Sequence, residues 1–188
     1  KIKQGSTEYS DVPNLAYVKD DEVVYTERQA MDLNEISLPS YDVTPDVAQK
    51  GGHIWLEASR GCNGNCTFCS RRPIRNTGWK PMPTDKVISD IRTLAIKYKV
   101  KHFRFADDDF PGTGSLEGME HAMKIAEEIR DLNITFDISA RVDSIYSEKA
   151  SLDENQKKLE FYKLLKEAGL TQVFLGIESG AAGQLKRF

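Results

Sequence analysis

The sequence predicts an α/β fold, a parallel sheet covered by helices and preceded by an N-terminal extension. Two observations predict it. From His53 onward, strand-like and helix-like segments alternate with short connections, the pattern of parallel strands joined by crossover helices. Each strand-like segment also ends in polar or charged residues, and such folds gather function at the C-terminal ends of their strands. Four strands and three helices are too few to close a barrel.

Residues 1–50 differ from the rest, with Pro13, Pro39 and Pro45, many acidic residues and only short strand-like pieces. Leu15 to Val18 and Glu22 to Tyr25 flank Asp20 and Asp21, which predicts a small hairpin followed by an extended, proline-containing linker. The second domain is expected over 51–188. Its first strand is His53 to Ala58. Thr84 is placed to cap a helix with apolar positions Val87, Ile88, Ile91, Leu94, Ala95 and Tyr98 at three- and four-residue steps. Lys101 to Ala106 alternates like a strand and runs into Asp107, Asp108 and Asp109. After Pro111 to Gly114 a second helix is expected from about Leu116 to Asp131, with Met119, Ala122, Met123, Ala126 and Ile129 on one face. Ile134 to Ser139 is the third strand. Glu154 to Ala168 is the third helix, stopped by Gly169. The fourth strand, Gln172 to Ile177, leads into Glu178, Ser179 and Gly180.

At 188 residues the chain can bury one good core. Its formal charge of -3 gives no clear nucleic-acid signal. Arg71, Arg72, Arg75 and Lys80 make a local basic run, readable as a solvated loop or as a binder of anionic groups. No apolar run approaches the roughly 20 residues that span a bilayer, so no membrane partner is expected. The chain begins at Lys1 and stops at Phe188 in what reads as a helix start, which suggests a piece of something longer.

The three cysteines, Cys62, Cys66 and Cys69, all fall within eight residues directly after the first strand. Structural zinc wants four N/S ligands, usually in two distant pairs, and no second pair exists. A disulfide framework would leave one thiol over and expects an extracellular chain, whereas no apolar signal segment is present. Three thiolates suit an iron–sulfur cluster. A 4Fe–4S cluster normally takes four cysteines, so one iron is left for a non-protein ligand.

Cys-x3-Cys-x2-Cys with the aromatic Phe68 before the last cysteine resembles the signature of the radical S-adenosylmethionine (radical SAM) superfamily. The resemblance implies a partial (β/α) barrel, here about four strands of the usual six, in which three thiolates hold a 4Fe–4S cluster. Its fourth iron chelates S-adenosylmethionine, whose reductive cleavage gives methionine and a 5'-deoxyadenosyl radical. The same resemblance implies an enzyme with a flavodoxin- or ferredoxin-like electron donor and a substrate the sequence does not name, and the lack of a membrane-length apolar run points to a soluble protein of a reducing compartment, the cytoplasm. Phe-Arg-Phe-Ala-Asp-Asp-Asp-Phe, Ser-Ala-Arg and Gly-Ile-Glu-Ser look like the group whose members often carry an N-terminal cobalamin-binding domain. That implies methyl transfer or rearrangement. None of His53, His102 and His121 has Asp two residues earlier, so the cobalamin signature Asp-x-His-x-x-Gly is absent and such a domain would lie upstream of Lys1.

For the cofactor, Phe68 matches the family aromatic near the adenine, although it also suits packing under the loop. Asp107 and Asp108 stand where relatives contact the methionine amino group; a divalent-cation site or a helix cap is the alternative. Ser139 and Arg141 are expected at the methionine carboxylate or ribose, with an Arg141–Asp143 pair as the alternative. Glu178 and Ser179 are expected at the ribose or amino group, unless Glu178 pairs with Arg141. The competing reading of the whole chain is a non-catalytic iron–sulfur electron-relay module.

Overall fold

The computed structural model describes residues 9–36, 39–42, 44–70, 78–113 and 116–187. The chain divides into two compact units, Lys1–Glu35 and Ile36–Phe188. In the first, β1 (Ala16–Lys19) and β2 (Glu22–Tyr25) form the expected antiparallel hairpin, with Lys19 opposite Glu22. Asp20 and Asp21 form its two-residue turn at φ 51° and 62°. Asx residues tolerate this left-handed region, and its twist matches that of the flanking strands.

The second unit holds a four-stranded parallel sheet in the order β3 (Ile54–Leu56), β6 (His102–Phe105), β7 (Thr135–Arg141), β8 (Leu170–Gly176). Among the described residues the sheet is open. Its strands follow one another in chain order, as successive right-handed crossovers would place them. The elements not expected from sequence include a short helix, α1 (Thr44–Gln49), within the stretch read as linker, and an antiparallel ribbon of β4 (Ser59–Arg60) with β5 (Lys80–Pro81). The ribbon splits the expected strand His53 to Ala58, because Ala58 leaves the sheet to accept a hydrogen bond from Met82 N at 2.8 Å. The basic residues Arg71, Arg72 and Arg75 lie outside the described residues.

One face of the sheet is buried: Ile54, Leu56, Phe103, Phe105, Phe136, Ile138 and Ala140 alternate with partly exposed neighbours. Helices α2 (Thr84–Ile96), α3 (Leu116–Ile129) and α5 (Leu152–Glu167) supply the other half of this core. Phe105 packs 4.6 Å from Phe110 and 5.7 Å, edge-on, from Phe136, centroid to centroid. Each such ring contributes about 1.5–3 kcal/mol by leaving water.

The structure corrects two helix expectations. Thr84 does not cap α2; Pro83 holds the N-cap position without a side-chain bond, and Thr84 Oγ1 lies 2.9 Å from His121 Nδ1. The buried stripe of α3 is Gly118, His121, Ala122, Ile125, Ala126 and Ile129, while Met119 and Met123 are only half-buried. Close approach sets that rotation, since a Cβ on Gly118 would stand 2.4 Å from the Pro111 carbonyl oxygen.

Helix α5 starts at Leu152, two residues before Glu154, because Ser151 and Glu154 form a reciprocal capping box. It ends as expected at Gly169, whose φ of +116° sends the chain into β8. A Cβ there would lie 2.1 Å from the Ile134 carbonyl oxygen. Gly169→Ala therefore combines backbone strain with a backbone clash, and it should cost roughly 1–3 kcal/mol. A lowered urea midpoint with an unchanged slope is the expected reading.

Candidate functional site

Asp107, at the end of β6, reaches back beneath the start of β4. Its carboxylate accepts from Ala58 N at 3.1 Å and from Ser59 Oγ at 2.5 Å. From α3, His121 Nε2 donates to Ala58 O at 2.9 Å, so Nδ1 accepts from the Thr84 hydroxyl. Burial holds His121 below its ordinary pKa. Asp107 is 4% exposed, and desolvation pushes its carboxyl up to about 7 against the bonds from Ser59 and Ala58. These side chains fix the strand from which the cysteine loop departs.

The loop itself is tied at several points. Gly61, at φ +85°, passes so close to Gly78 that a Cβ would stand 2.1 Å from the Gly78 carbonyl oxygen. Asn63 Oδ1 accepts from Trp79 N at 3.1 Å, Trp79 Nε1 donates to Asp109 O at 3.0 Å, and Thr67 Oγ1 donates to Arg187 O at 2.5 Å. Cys62 is buried, and Cys66 and Cys69 are half-buried. Gly64 N points at Cys62 Sγ from 3.2 Å.

Beside this loop, over the strand ends, opens a cavity of about 930 Å³. The three cysteines, Phe68, Asp107, Asp108, Ser139, Arg141, Glu178 and Ser179 all line it. The sequence-expected positions thus converge on one space, but their side chains do different things. Asp107 has both oxygens engaged with the β4 start. Asp109 is fully buried and accepts from Thr113 N at 2.8 Å and Thr113 Oγ1 at 3.0 Å, closing the turn after β6. Burial raises the Asp109 pKa against those bonds and the nearby Arg141 charge. Asp108, between them, is half-exposed on the cavity wall.

Arg141 makes a two-pronged pair with Asp143, Nε to Oδ1 and Nη2 to Oδ2, both at 2.9 Å. Its Nη1 lies 3.7 Å from Cys66 Sγ. The hydrogen bonds to Asp143 hold the guanidinium above its ordinary pKa. Among the described residues, Arg141 pairs with Asp143 and not with Glu178. Glu178 sits at φ 61° at the centre of a three-residue turn, Ser179 N to Ile177 O, which follows another, Ile177 N to Leu175 O.

Several wall residues were not singled out from sequence: Tyr146, Ser147, Phe174, Ile177 and Leu185. Phe174 was legible, because it shares the strand face of Gln172 and Gly176. Tyr146 follows a four-residue helix, α4 (Val142–Ile145), and Leu185 ends another, α6 (Ala182–Leu185), both too short for periodicity to register.

The profile described as the Radical SAM superfamily matches residues 56–188. The chain belongs to the radical SAM superfamily. Over its whole length this radical SAM chain is 30% identical to the 4'-phospho-dehydrooxetanocin synthase of Priestia megaterium, covering 26% of that protein. It is 28% identical to the hopanoid C-3 methylase of Methylococcus capsulatus over 71% of the chain and 22% of that enzyme. All of it superposes, with a TM-score of 0.85 and 29% identity, on 27% of the cobalamin-dependent S-adenosylmethionine radical enzyme OxsB, a structure with aqua-cobalamin and S-adenosylmethionine bound. The chain therefore spans about a quarter of the length of these relatives.

Radical SAM proteins use a 4Fe–4S cluster and S-adenosylmethionine, and the residues present fit both. Three cysteine side chains line one cavity, with a backbone N–H and a guanidinium aimed at two of the sulfurs. Among the described residues no three His, Cys, Asp or Glu are drawn together around a single-ion position. A spread donor set suits a cluster, which takes each thiolate on a different iron.

The raised Asp107 pKa has a measurable consequence. An unfolded Asp releases its proton near 3.8, so between about pH 4 and pH 7 the folded state holds more protons. Asp107 therefore costs stability progressively as pH rises through that window. Asp107→Asn can accept from Ala58 N and donate to Ser59 Oγ, and it should flatten the fall. Urea midpoints of both proteins across pH 4–8 check this; parallel curves would contradict it.

Proposed function

We propose that residues 51–188 form the catalytic core of a cobalamin-dependent radical SAM enzyme. One observation carries the reading: the only three cysteines and the polar ends of three parallel strands, β6, β7 and β8, meet on a single cavity. Cys62, Cys66 and Cys69 would hold the cluster. When bound, the cluster and S-adenosylmethionine supply one-electron reductive cleavage and a radical able to take hydrogen from a substrate. The chain's own residues bind and orient. Phe68, half-exposed in the wall, offers an apolar surface to an adenine. The carboxylates of Asp108 and Glu178 suit the methionine ammonium or ribose hydroxyls through charge-assisted bonds. Ser139 and Ser179 offer hydroxyls of either polarity. Asp107 acts from beneath by fixing the loop, and Arg141 stands between the loop and the cavity.

Cobalamin-dependent methyl transfer or rearrangement is supported by the enzymes this chain resembles, with the corrinoid supplied outside Lys1–Phe188. No helix of the described residues is long and apolar enough to cross a membrane. We assign the reducing equivalents to a flavodoxin- or ferredoxin-like donor and the enzyme to the cytoplasm, where thiols stay reduced for cluster assembly.

Anaerobic reconstitution should load about four iron and four sulfide per chain, as a 4Fe–4S cluster requires. Added S-adenosylmethionine should alter the reduced cluster's EPR spectrum and yield 5'-deoxyadenosine. Cys→Ala at any of the three positions should abolish both. A cluster that ignores S-adenosylmethionine would support the electron-relay reading instead.

Glu178→Gln removes one charged acceptor. It should weaken S-adenosylmethionine binding about tenfold, the low end for loss of a charge-assisted bond, while iron content is unchanged. Equilibrium dialysis of the reconstituted variant measures it.

A further inference from the structure

We infer that Arg141 is a positioning residue for the cluster loop: a fixed positive charge, oriented by Asp143, that raises the cluster's reduction potential. The inference rests on the cluster reading above, and it gives Arg141 a role apart from holding a methionine carboxylate.

Both edges of the guanidinium are engaged. Nε and Nη2 are spent on Asp143 at 2.9 Å each, a fork-to-fork pair that removes most of the side chain's rotational freedom. The remaining nitrogen, Nη1, is directed at the loop, 3.7 Å from Cys66 Sγ. The loop is shaped to receive it. A Cβ on Gly64 would lie 2.2 Å from Nη1 and 3.3 Å from Cys62 Sγ, so residue 64 leaves the space that the guanidinium fills between two of the three cysteines. The electrostatics agree, since Cys62 and Cys66 are among the groups that favour the charged form of Arg141. A surface ion pair would need neither the vacated Cβ position nor a third nitrogen turned inward.

Reduction adds one negative charge to a cluster held by thiolates. A cation and an N–H donor at the thiolate sulfurs stabilise that state over the oxidised one and move the potential upward. Asp143 lies on the far side of the guanidinium from Cys66 and opposes part of this effect. The pair therefore acts as a dipole with its positive end at the loop. Asp109, the other carboxyl coupled to the Arg141 charge, is common to every variant below. Lysine at 141 would keep the charge but could not grip Asp143 and reach the sulfur together.

The test is an EPR-monitored redox titration of the anaerobically reconstituted protein, with S-adenosylmethionine affinity measured in parallel. Arg141→Gln leaves Asp143 unpaired near the cluster and should lower the potential, with a one-electron equilibrium shift of about tenfold, or about 59 mV. Asp143→Asn removes the opposing charge and should raise it. Arg141→Lys should fall between Arg141→Gln and wild type. Shifts of opposite sign at 141 and 143 support the inference, because merely loosening the loop would not reverse direction. If Arg141→Gln assembles no cluster, the Asp143→Asn arm decides alone: an upward shift supports the inference and an unchanged potential overturns it. Unchanged potentials with a large loss of S-adenosylmethionine affinity at Arg141→Gln would overturn it in favour of a carboxylate-binding arginine. Failure of the wild type to bind iron would instead defeat the cluster reading itself.

Discussion

The buried pair of hydrogen bonds to Asp107, from the Ala58 backbone N–H and the Ser59 hydroxyl, is the constraint on which the site depends. It joins the end of one strand to the departure of another, from residues 49 positions apart for Ala58 and 48 for Ser59. A carboxyl this buried is costly unless its oxygens are satisfied, and here both are. The cost also makes the arrangement specific, since any shift of β4 would leave an unpaired acceptor in the core. His121 and Met82 close the opposite side on the Ala58 carbonyl. The first residues after β3 are thereby held from β6, α3 and the segment before α2. A loop that must present three thiols in a fixed arrangement is built on an inflexible start.

That stiffness explains how the acidic run after β6 divides its work. The three successive carboxylates follow the end of β6, where the chain bends at Asp108 and Asp109 and turns their side chains in different directions. Asp107 turns under the loop, Asp109 turns into its own Thr113 turn, and Asp108 is left on the cavity wall. Two of the three are thus structural, and both have pKa values raised by burial. A perturbed carboxylate beside an active site is often taken as catalytic, but here the perturbation follows from holding the scaffold.

Sequence alone revealed the parallel sheet, its covering helices and the polar strand ends, because alternation in Lys101 to Ala106 and spacing in Val87 to Ala95 are local signals. It missed what depends on contacts between distant residues. Thr84 looks like an N-cap from its neighbours, yet its hydroxyl is taken by His121, 37 residues on. Met119 and Met123 look like core by hydropathy, but close approach at Gly118 turns α3 away from them. The β4–β5 ribbon had no signal, since two-residue strands carry no period. At the site, residue types were readable and their directions were not. Arg141 and Glu178 read equally well as partners from sequence, and only the fold shows Arg141 committed to Asp143.

Two glycines at the cavity illustrate how the sequence provides room for charge where it is needed. At Gly64 the missing Cβ leaves space for the Arg141 guanidinium; at Gly176 a Cβ would lie 2.8 Å from Glu178 Oε1. In the second case the carboxylate folds back over the strand end because Glu178 adopts φ 61°, at the centre of the second of two successive turns, closed at 3.0 and 2.7 Å. A non-glycine residue held there costs on the order of 1–3 kcal/mol, and turns this tight are strained. An extended Glu178 would avoid the strain. The chain instead keeps the strained form and clears the space it occupies. Strain of this kind persists where the surroundings over-determine it, and its effect here is to keep the Glu178 carboxylate on the cavity wall. The cavity wall thus carries the Glu178 carboxylate at the end of β8 and, beside the cysteine loop, an Arg141 guanidinium already committed to Asp143.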